Sequence, residues 1–328
     1  MSLINRIRTG FMVLAAKWHN DYLSLEDETA ESWIKRHAGE ESYRVVWEPL
    51  LKGKFGIEAE NVSAVWFWNK LKLRGGSRGK GGKENLLYFD GGFGGATSSI
   101  KKALETAGVK IITNTQVTRI ISKDGKVKGV ETKDKTFESP CVLATLPLPS
   151  FLDITPDLPS SYTEPARQIR FLGNVCLVLS LKRSLSSTYW LNVADPTFPF
   201  VGVIEHTNFD PPSNYGGKHI AYLSKYLPTS EALFNLSDEE TFKFCLPHLQ
   251  RIFPEFNESW VSGYNIWRAT YSQPVITKNY SKLIPAEKTP FEGLWLSTMA
   301  QVYPEDRGTS YAVRSGRGVA LKILSNHP

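Results

Sequence analysis

Between residues 86 and 147 the sequence changes its hydrophobic period repeatedly, and the order of the changes leaves few folds open. Residues 86 to 89 form a short apolar run that reads as a strand. Gly91-Gly92-Phe93-Gly94-Gly95 reads as a turn, residues 96 to 107 as a helix stopped by Gly108, and Val109-Lys110-Ile111-Ile112 as a second strand. This is a βαβ pattern. Three short β-prone runs follow at 116 to 122, 126 to 132 and 135 to 138, joined by Asp124-Gly125 and Lys133-Asp134, and turns of that kind favour a tight antiparallel meander. The chain then returns through Cys141-Val142-Leu143-Ala144, a continuous apolar run suited to a buried strand, and breaks at Thr145-Leu146-Pro147. A parallel unit, an antiparallel meander and a buried return strand in one segment predict a mixed α/β or α+β architecture.

The glycines at 91 to 95 do not make a dinucleotide fingerprint. That fingerprint also needs an acid at the end of the second strand to hold a ribose, and Thr113-Asn114-Thr115 stands there. Just upstream, Lys70, Lys72, Arg74, Arg78, Lys80 and Lys83 are interspersed with glycine and no acid, which reads as a solvated, flexible loop at 70 to 83. No stacking module or recognition helix accompanies it, so no nucleic-acid partner is expected. Gly75-Gly76-Ser77-Arg78-Gly79 matches G-x-S-x-G in form only. It lacks the strand before and the helix after that would hold the serine in a strained elbow.

The first 48 residues contain no proline and only Gly10 and Gly39, leaving long stretches able to be helical. Ser24-Leu25-Glu26-Asp27 reads as a capping box, with Ala30, Trp33, Ile34 and His37 following at the spacing of a buried helical stripe; His37 is thus a packed residue, not a ligand. Residues 43 to 56 and 61 to 72 read as two further helices anchored by Trp47, Trp66 and Trp68. Beyond 150, strands are expected near 171 to 182, 200 to 206 and 218 to 224, a helix near 237 to 252, and a strand at 260 to 269. A hydrophobic content of 41% excludes disorder, and no run of eighteen apolar residues predicts a membrane span. Cys141, Cys176 and Cys245 lie far apart in apolar surroundings, as buried thiols of a reducing compartment do, and with no signal peptide a cytoplasmic protein is expected. No His/Cys/Asp/Glu cluster has zinc or iron spacing.

Taken with Tyr311-Ala312-Val313-Arg314-Ser315-Gly316 near the C-terminus, the order of elements at 86 to 147 resembles the FAD-dependent amine oxidase superfamily, which includes protoporphyrinogen oxidases, carotenoid desaturases and the related UDP-galactopyranose mutases. The resemblance is clearest at 86 to 147 and 293 to 324. It implies a partial FAD-binding, glutathione-reductase-like domain with a β-meander, made of residues 86–149 and 286–328. It also implies a mixed-sheet substrate domain at 150–285, with residues 1–85 as its helical part. Val117 matches the position whose main chain pairs with the adenine edge, and Ala144 and Thr145 match the return strand near the pyrophosphate or isoalloxazine. Gly308, Thr309, Ser310, Tyr311 and Ala312 form the start of a helix whose free N–H groups suit a pyrophosphate or a reduced flavin. Trp267-Arg268-Ala269-Thr270-Tyr271-Ser272-Gln273-Pro274 looks like the segment leading back toward the flavin.

The function so implied is hydride removal by FAD from a small-molecule amine, porphyrinogen or polyene-type substrate, with no metal or nucleophile required. His206, Asn208, Tyr222 and Tyr271 are candidate substrate-wall residues, the first two on one face of a strand. Two departures stand out. Thr298-Met299-Ala300-Gln301 replaces the Gly-Asp or Gly-Glu that commonly binds the ribityl chain, and nothing in residues 1 to 85 supplies the family's strand, G-x-G-x-x-G and ribose acid. With Met1-Ser2-Leu3 reading as an artificial start, the expectation is a fragment of a longer flavoprotein that binds FAD weakly, a natural split subunit being the alternative. A non-catalytic binding protein derived from the same fold, or a mutase relative, is the competing function.

Overall fold

The computed structural model describes residues 1–76 and 87–326. These fall into two compact units, Met1–Asn69 with Ile169–Tyr280, and Lys70–Gln168 with Ser281–Pro328.

Helix α1 (Leu3–Trp18) is capped by Ser2, whose side chain accepts from the Asn5 N–H. Helix α2 (Ala30–Ala38) is capped by Thr29, not by a box at 24 to 27, where a short 3-10 turn, Tyr22–Leu25, is capped by Asp21. The reason is tertiary: Glu28 C=O accepts from Ala64 N–H at 2.9 Å and Ala30 N–H donates to Val62 C=O at 2.7 Å, so the chain is held extended until Thr29. The expected stripe is buried at Ala30, Trp33 and Ile34, and His37 packs its ring on Trp33 at 4.7 Å. Helices α3 (Glu40–Ser42) and α4 (Glu48–Phe55) are joined by a π turn at Tyr43–Trp47, and α5 spans Ala64–Gly76. Lys70 and Lys72 therefore belong to a helix. The rest of the basic stretch expected to be a loop at 70 to 83, and most of the G-x-S-x-G match, lie outside the described residues or their described side chains.

Helix α6 (Gly92–Thr106) begins within the glycine run expected to be a turn. The strand expected at 109 to 112 is not formed, nor is one at 87 to 89, residue 86 lying outside the described residues. Val109, Ile111 and Ile112 are exposed, and among the described residues no neighbouring strand takes their ladder bonds. The meander is formed as expected by β1 (Val117–Lys123), β2 (Lys126–Thr132) and β3 (Thr136–Glu138), with Asp124 (φ 53°) and Gly125 (φ 71°) making the tight turn between the first two. Strand β4 (Val142–Ala144) leads into α7 (Leu148–Asp153) and α8 (Ser160–Arg167).

A five-stranded antiparallel sheet follows, built from β5 (Phe171–Leu181), β6 (Trp190–Asn192), β7 (Gly202–Glu205), β8 (His219–Leu227) and β9 (Val261–Pro274) in the order β6-β7-β8-β5-β9. Between β8 and β9 lie α9 (Ala232–Asn235) and α10 (Asp238–Ile252), the latter started by a capping box between Ser237 and Glu240. Leu177, Leu179, Leu181, Val203, Ala221 and Leu223 of the sheet pack with Phe242, Leu246 and Leu249 of α10 to form the core of this unit.

Strand β10 (Leu294–Leu296) pairs in parallel with β4, Leu294 opposite Val142 and Leu296 opposite Ala144. The pairing depends on Gly293 (φ +82°), where a Cβ would lie 2.1 Å from Pro140 C=O oxygen. Helix α11 (Thr309–Asn326) closes the chain and buries Val319, while Ala312, Gly316 and Ala320 on its small-residue face are exposed. No helix of the described residues is long and apolar enough to cross a membrane.

Candidate functional site

Side chains alternate across a strand, so the register of the five-stranded sheet assigns each residue to one of two faces. Turned away from α10, one row reads Trp190, Ile204, Tyr222, Val178, Asn265 and the next reads Asn192, Gly202, Ser224, Cys176, Trp267. Trp190 and Trp267 are 54% and 67% exposed, so this face is open at both ends of the rows. Its polar groups are largely tied to one another. Trp190 Nε1–H donates to Asn192 Oδ1 at 2.9 Å, and Asn174 Nδ2 donates to Ser224 Oγ at 2.9 Å and Lys225 C=O at 3.0 Å. Burial pushes the Cys176 thiol up to about 11, against a smaller downward pull from its hydrogen bond to Ser224, and a protonated thiol is a poor nucleophile.

Of the sequence-derived wall candidates, Tyr222 lies on this face and His206 touches it. The His206 ring meets the Tyr222 ring edge-on at 5.8 Å between centroids. Its Nε2 lies 2.7 Å from Tyr215 Oη, and Tyr215 O–H donates to Asp210 Oδ2 at 2.7 Å, so the network assigns the proton of the neutral imidazole to Nε2. Burial lowers the His206 pKa below its ordinary value, Asp210 opposing in part. His206 and Asn208 do not share a strand face; both belong to a 3-10 turn, His206–Asn208. The strand stops because the Glu205 carboxylate is bound by Ser184 Oγ–H and the Leu185 and Ser186 N–H groups, while His206 C=O accepts from Phe209 and Asp210. Asn208 staples a loop, donating to Ser186 and Thr188 carbonyls at 2.8 and 3.1 Å. Tyr271 stands at the far end of β9 against the Phe171 ring, 5.8 Å away. Of the residues that sequence reasoning missed, Trp190, Ile204, Val178, Asn265 and Trp267, the last three carry a usable signal in the period-two alternation along β5 and β9.

In the other unit, Val117 opens β1 opposite Thr132. Ala144 is buried at the end of β4, its C=O accepting from Ser297 N–H at 2.9 Å, and Thr145 is exposed just beyond. Gly308 is exposed and its C=O accepts from Ala312 N–H at 2.9 Å; Thr309, Ser310 and Ala312 are exposed in the first turn of α11, with Tyr311 beneath the Arg314 guanidinium at 4.8 Å. At the position of the ribityl departure, Gln301 is engaged within the chain: Oε1 accepts from Thr298 N–H at 2.7 Å and Nε2 donates to Pro285 C=O at 3.0 Å. Just ahead of α11, the buried Asp306 pairs with Lys70 Nζ at 2.7 Å, a pairing no sequence spacing announces.

These features fit FAD in part. A strand end leading to exposed Thr145 and a helix start with Gly308, Thr309, Ser310 and Ala312 exposed and no acid in its first turn can face a flavin and its phosphates. A glycine turn followed by a ribose-binding acid is not found among the described residues.

Known proteins supply an independent comparison. The family model for flavin containing amine oxidoreductase matches residues 1–324. No protein of curated function matches the sequence. Among solved structures, an oxidoreductase from Methanosarcina mazei superposes with a TM-score of 0.73 at 18% identity, covering 98% of this chain and 73% of that one. A triple mutant of putrescine oxidase gives 0.69 at 15% identity over 98% of this chain and 75% of its own, and reduced UDP-galactopyranose mutase gives 0.59 at 13% over 85% and 62%. At such identities the structures attest the fold alone. The match of the family model over nearly the whole length, on a fold of meander, parallel return strand and five-stranded antiparallel sheet, establishes that the chain belongs to the flavin containing amine oxidoreductase family.

Proposed function

We propose that this chain serves in an FAD-dependent oxidoreductase, the sheet face of one unit meeting the substrate and β1, β4 and α11 of the other contacting the cofactor. The observation that carries this reading is the match to the flavin containing amine oxidoreductase family over residues 1–324. When bound, FAD supplies hydride acceptance at its ring system. The chain's own part is to present and desolvate the substrate. Tyr222 is held by His206, which is in turn oriented by Tyr215 and Asp210, so the centre of the wall is preorganised. The substrate is a small molecule, removed from water by Trp190, Trp267 and their neighbours. Val117, Ala144, Thr145 and residues 308–312 are the proposed cofactor contacts.

Because the described residues offer no pyrophosphate turn or ribose acid, the chain by itself binds FAD weakly and is inactive. The test is to compare the chain with a version joined at its N-terminus to a βαβ unit carrying G-x-G-x-x-G. The chain alone should emerge from desalting colourless, and the joined protein should retain flavin near one per chain. A joined, folded protein that stays colourless overturns the proposal and favours a non-catalytic binding role.

A further inference from the structure

The five-stranded sheet sorts its residues by charge as well as by size. Its strands carry four acidic or basic side chains, Glu205, His219, Lys225 and Arg268. Every one registers with a residue of the α10 side: Glu205 with Ala221, His219 with Leu181, and Lys225 and Arg268 with Val175. Three of them are also firmly engaged there. Glu205 takes three donors, Lys225 reaches Glu231 at 3.4 Å, and Arg268 binds Asp238 at 2.6 Å together with the Leu236 and Phe234 carbonyls. The opposite face has no charged side chain at any strand position.

A desolvated cation needs a carboxylate or an aromatic cage, and a diphosphate needs arginine, lysine or a cradle of N–H groups. This face offers no carboxylate or base to either, and its two tryptophans stand on the opposite edge strands β6 and β9, too far apart to close a cage around a cation. What it offers is two exposed tryptophans flanking Val178, Ile204 and Tyr222, with polar groups that already satisfy one another through Trp190–Asn192 and Asn174–Ser224. An apolar molecule laid across it strands few hydrogen-bonding groups, so the usual desolvation cost is small. Asn265 differs: its side-chain amide has no partner among the described residues and stands in the row between Val178 and the sheet edge.

We infer that the substrate taken by this face is uncharged, predominantly apolar and extended, with at most a hydroxyl or carbonyl to meet Asn265. Polyamines and sugar nucleotides are thereby excluded as its substrates. The inference rests on the sheet face being the substrate wall proposed above.

The chain itself allows the test, since the tryptophans report directly. Retinol serves as a neutral, elongated probe, with putrescine and UDP-galactose as cationic and anionic counterparts, and binding is followed by quenching of tryptophan fluorescence. Retinol should bind without dependence on salt, and the other two should not bind. Trp190→Ala and Trp267→Ala should each weaken retinol by about three- to tenfold, the scale of a lost aromatic contact. Asn265→Asp should weaken it further by placing a charge on the face. Unchanged circular dichroism in these exposed-site variants shows that folding is not the cause. Salt-sensitive binding of putrescine or UDP-galactose in preference to retinol overturns the inference, as does retinol binding that ignores both tryptophan variants. A joined protein that holds FAD but prefers putrescine sinks this inference and leaves the flavin reading standing. A colourless joined protein whose sheet still binds retinol does the reverse.

Discussion

His206 is a residue on which burial and a nearby carboxylate act in opposite directions, and burial dominates: the imidazole is held neutral below its ordinary pKa of 6.5, with Asp210 pulling the other way. The unfolded chain therefore takes up the proton first as pH falls. Stability from this group is complete above its ordinary value and is lost as pH drops through it toward the depressed folded value. Urea midpoints measured on either side of pH 6.5 should fall on the acid side, and His206→Phe should flatten that part of the profile. An unchanged profile in the variant would place the acid loss elsewhere. Arg268 invites a second measurement at this scale. Its guanidinium joins Asp238, Thr241 and two carbonyls at the start of α10, so Arg268→Ala should cost about 2–3 kcal/mol, the range for a lost charged hydrogen bond. Arg268→Lys should recover only part of it, an ammonium being unable to reproduce the planar fork. Neither residue's surroundings were legible in the sequence. The turn at His206 is set by Glu205 reaching back to Ser184, and Arg268 is fixed by residues some thirty positions away, contacts with no local signature.

At the scale of elements, local chemistry was readable wherever the partner lies nearby in the chain. The meander followed from its alternation and its Asp124-Gly125 turn, and the return strand from its apolar run. Residues 109 to 112 have the composition of a strand and yet form none, because a strand exists only where a neighbour completes its hydrogen bonds. The cap of α2 was misplaced for a similar reason, long-range bonds from Val62 and Ala64 deciding where the helix can begin. Gly293 is the point at which the β4–β10 pair can be attacked. Gly293→Ala forces a side chain onto Pro140 and should destabilise by more than about 1 kcal/mol, visible as a lower thermal midpoint. Helix α11 gives a prediction with opposite signs in two settings. Ala312 is exposed in its first turn, so Ala312→Glu in the chain alone should raise stability by about 0.3–1 kcal/mol. In the joined protein the same carboxylate should weaken FAD binding by repelling its negative charge, and an unaltered flavin affinity would remove α11 from the cofactor site.

Across the whole molecule, apolar surface is distributed unevenly. On α1 the outward side carries Ile4, Ile7, Phe11, Leu14 and Trp18, and α6 exposes Phe93, Ile100 and Leu104. Contiguous surface of this kind is adhesive, so light scattering should show self-association growing with concentration, and a monodisperse chain at high concentration would contradict this. The two-faced sheet has a different consequence, which concerns how such a protein changes over time. Leu177 and Leu179 hold the unit together, and shortening either to alanine should cost about 2–5 kcal/mol. Their neighbours Val178 and Asn265, one position out of phase, lie on the other face, where the exposed Asn265 can be exchanged for about 0.5 kcal/mol or less either way. Alternation along a single strand thus separates the positions that keep the protein folded from those proposed to meet its substrate, and with the sheet face as substrate wall, lineages carrying it can try new substrates without first acquiring stability to spare.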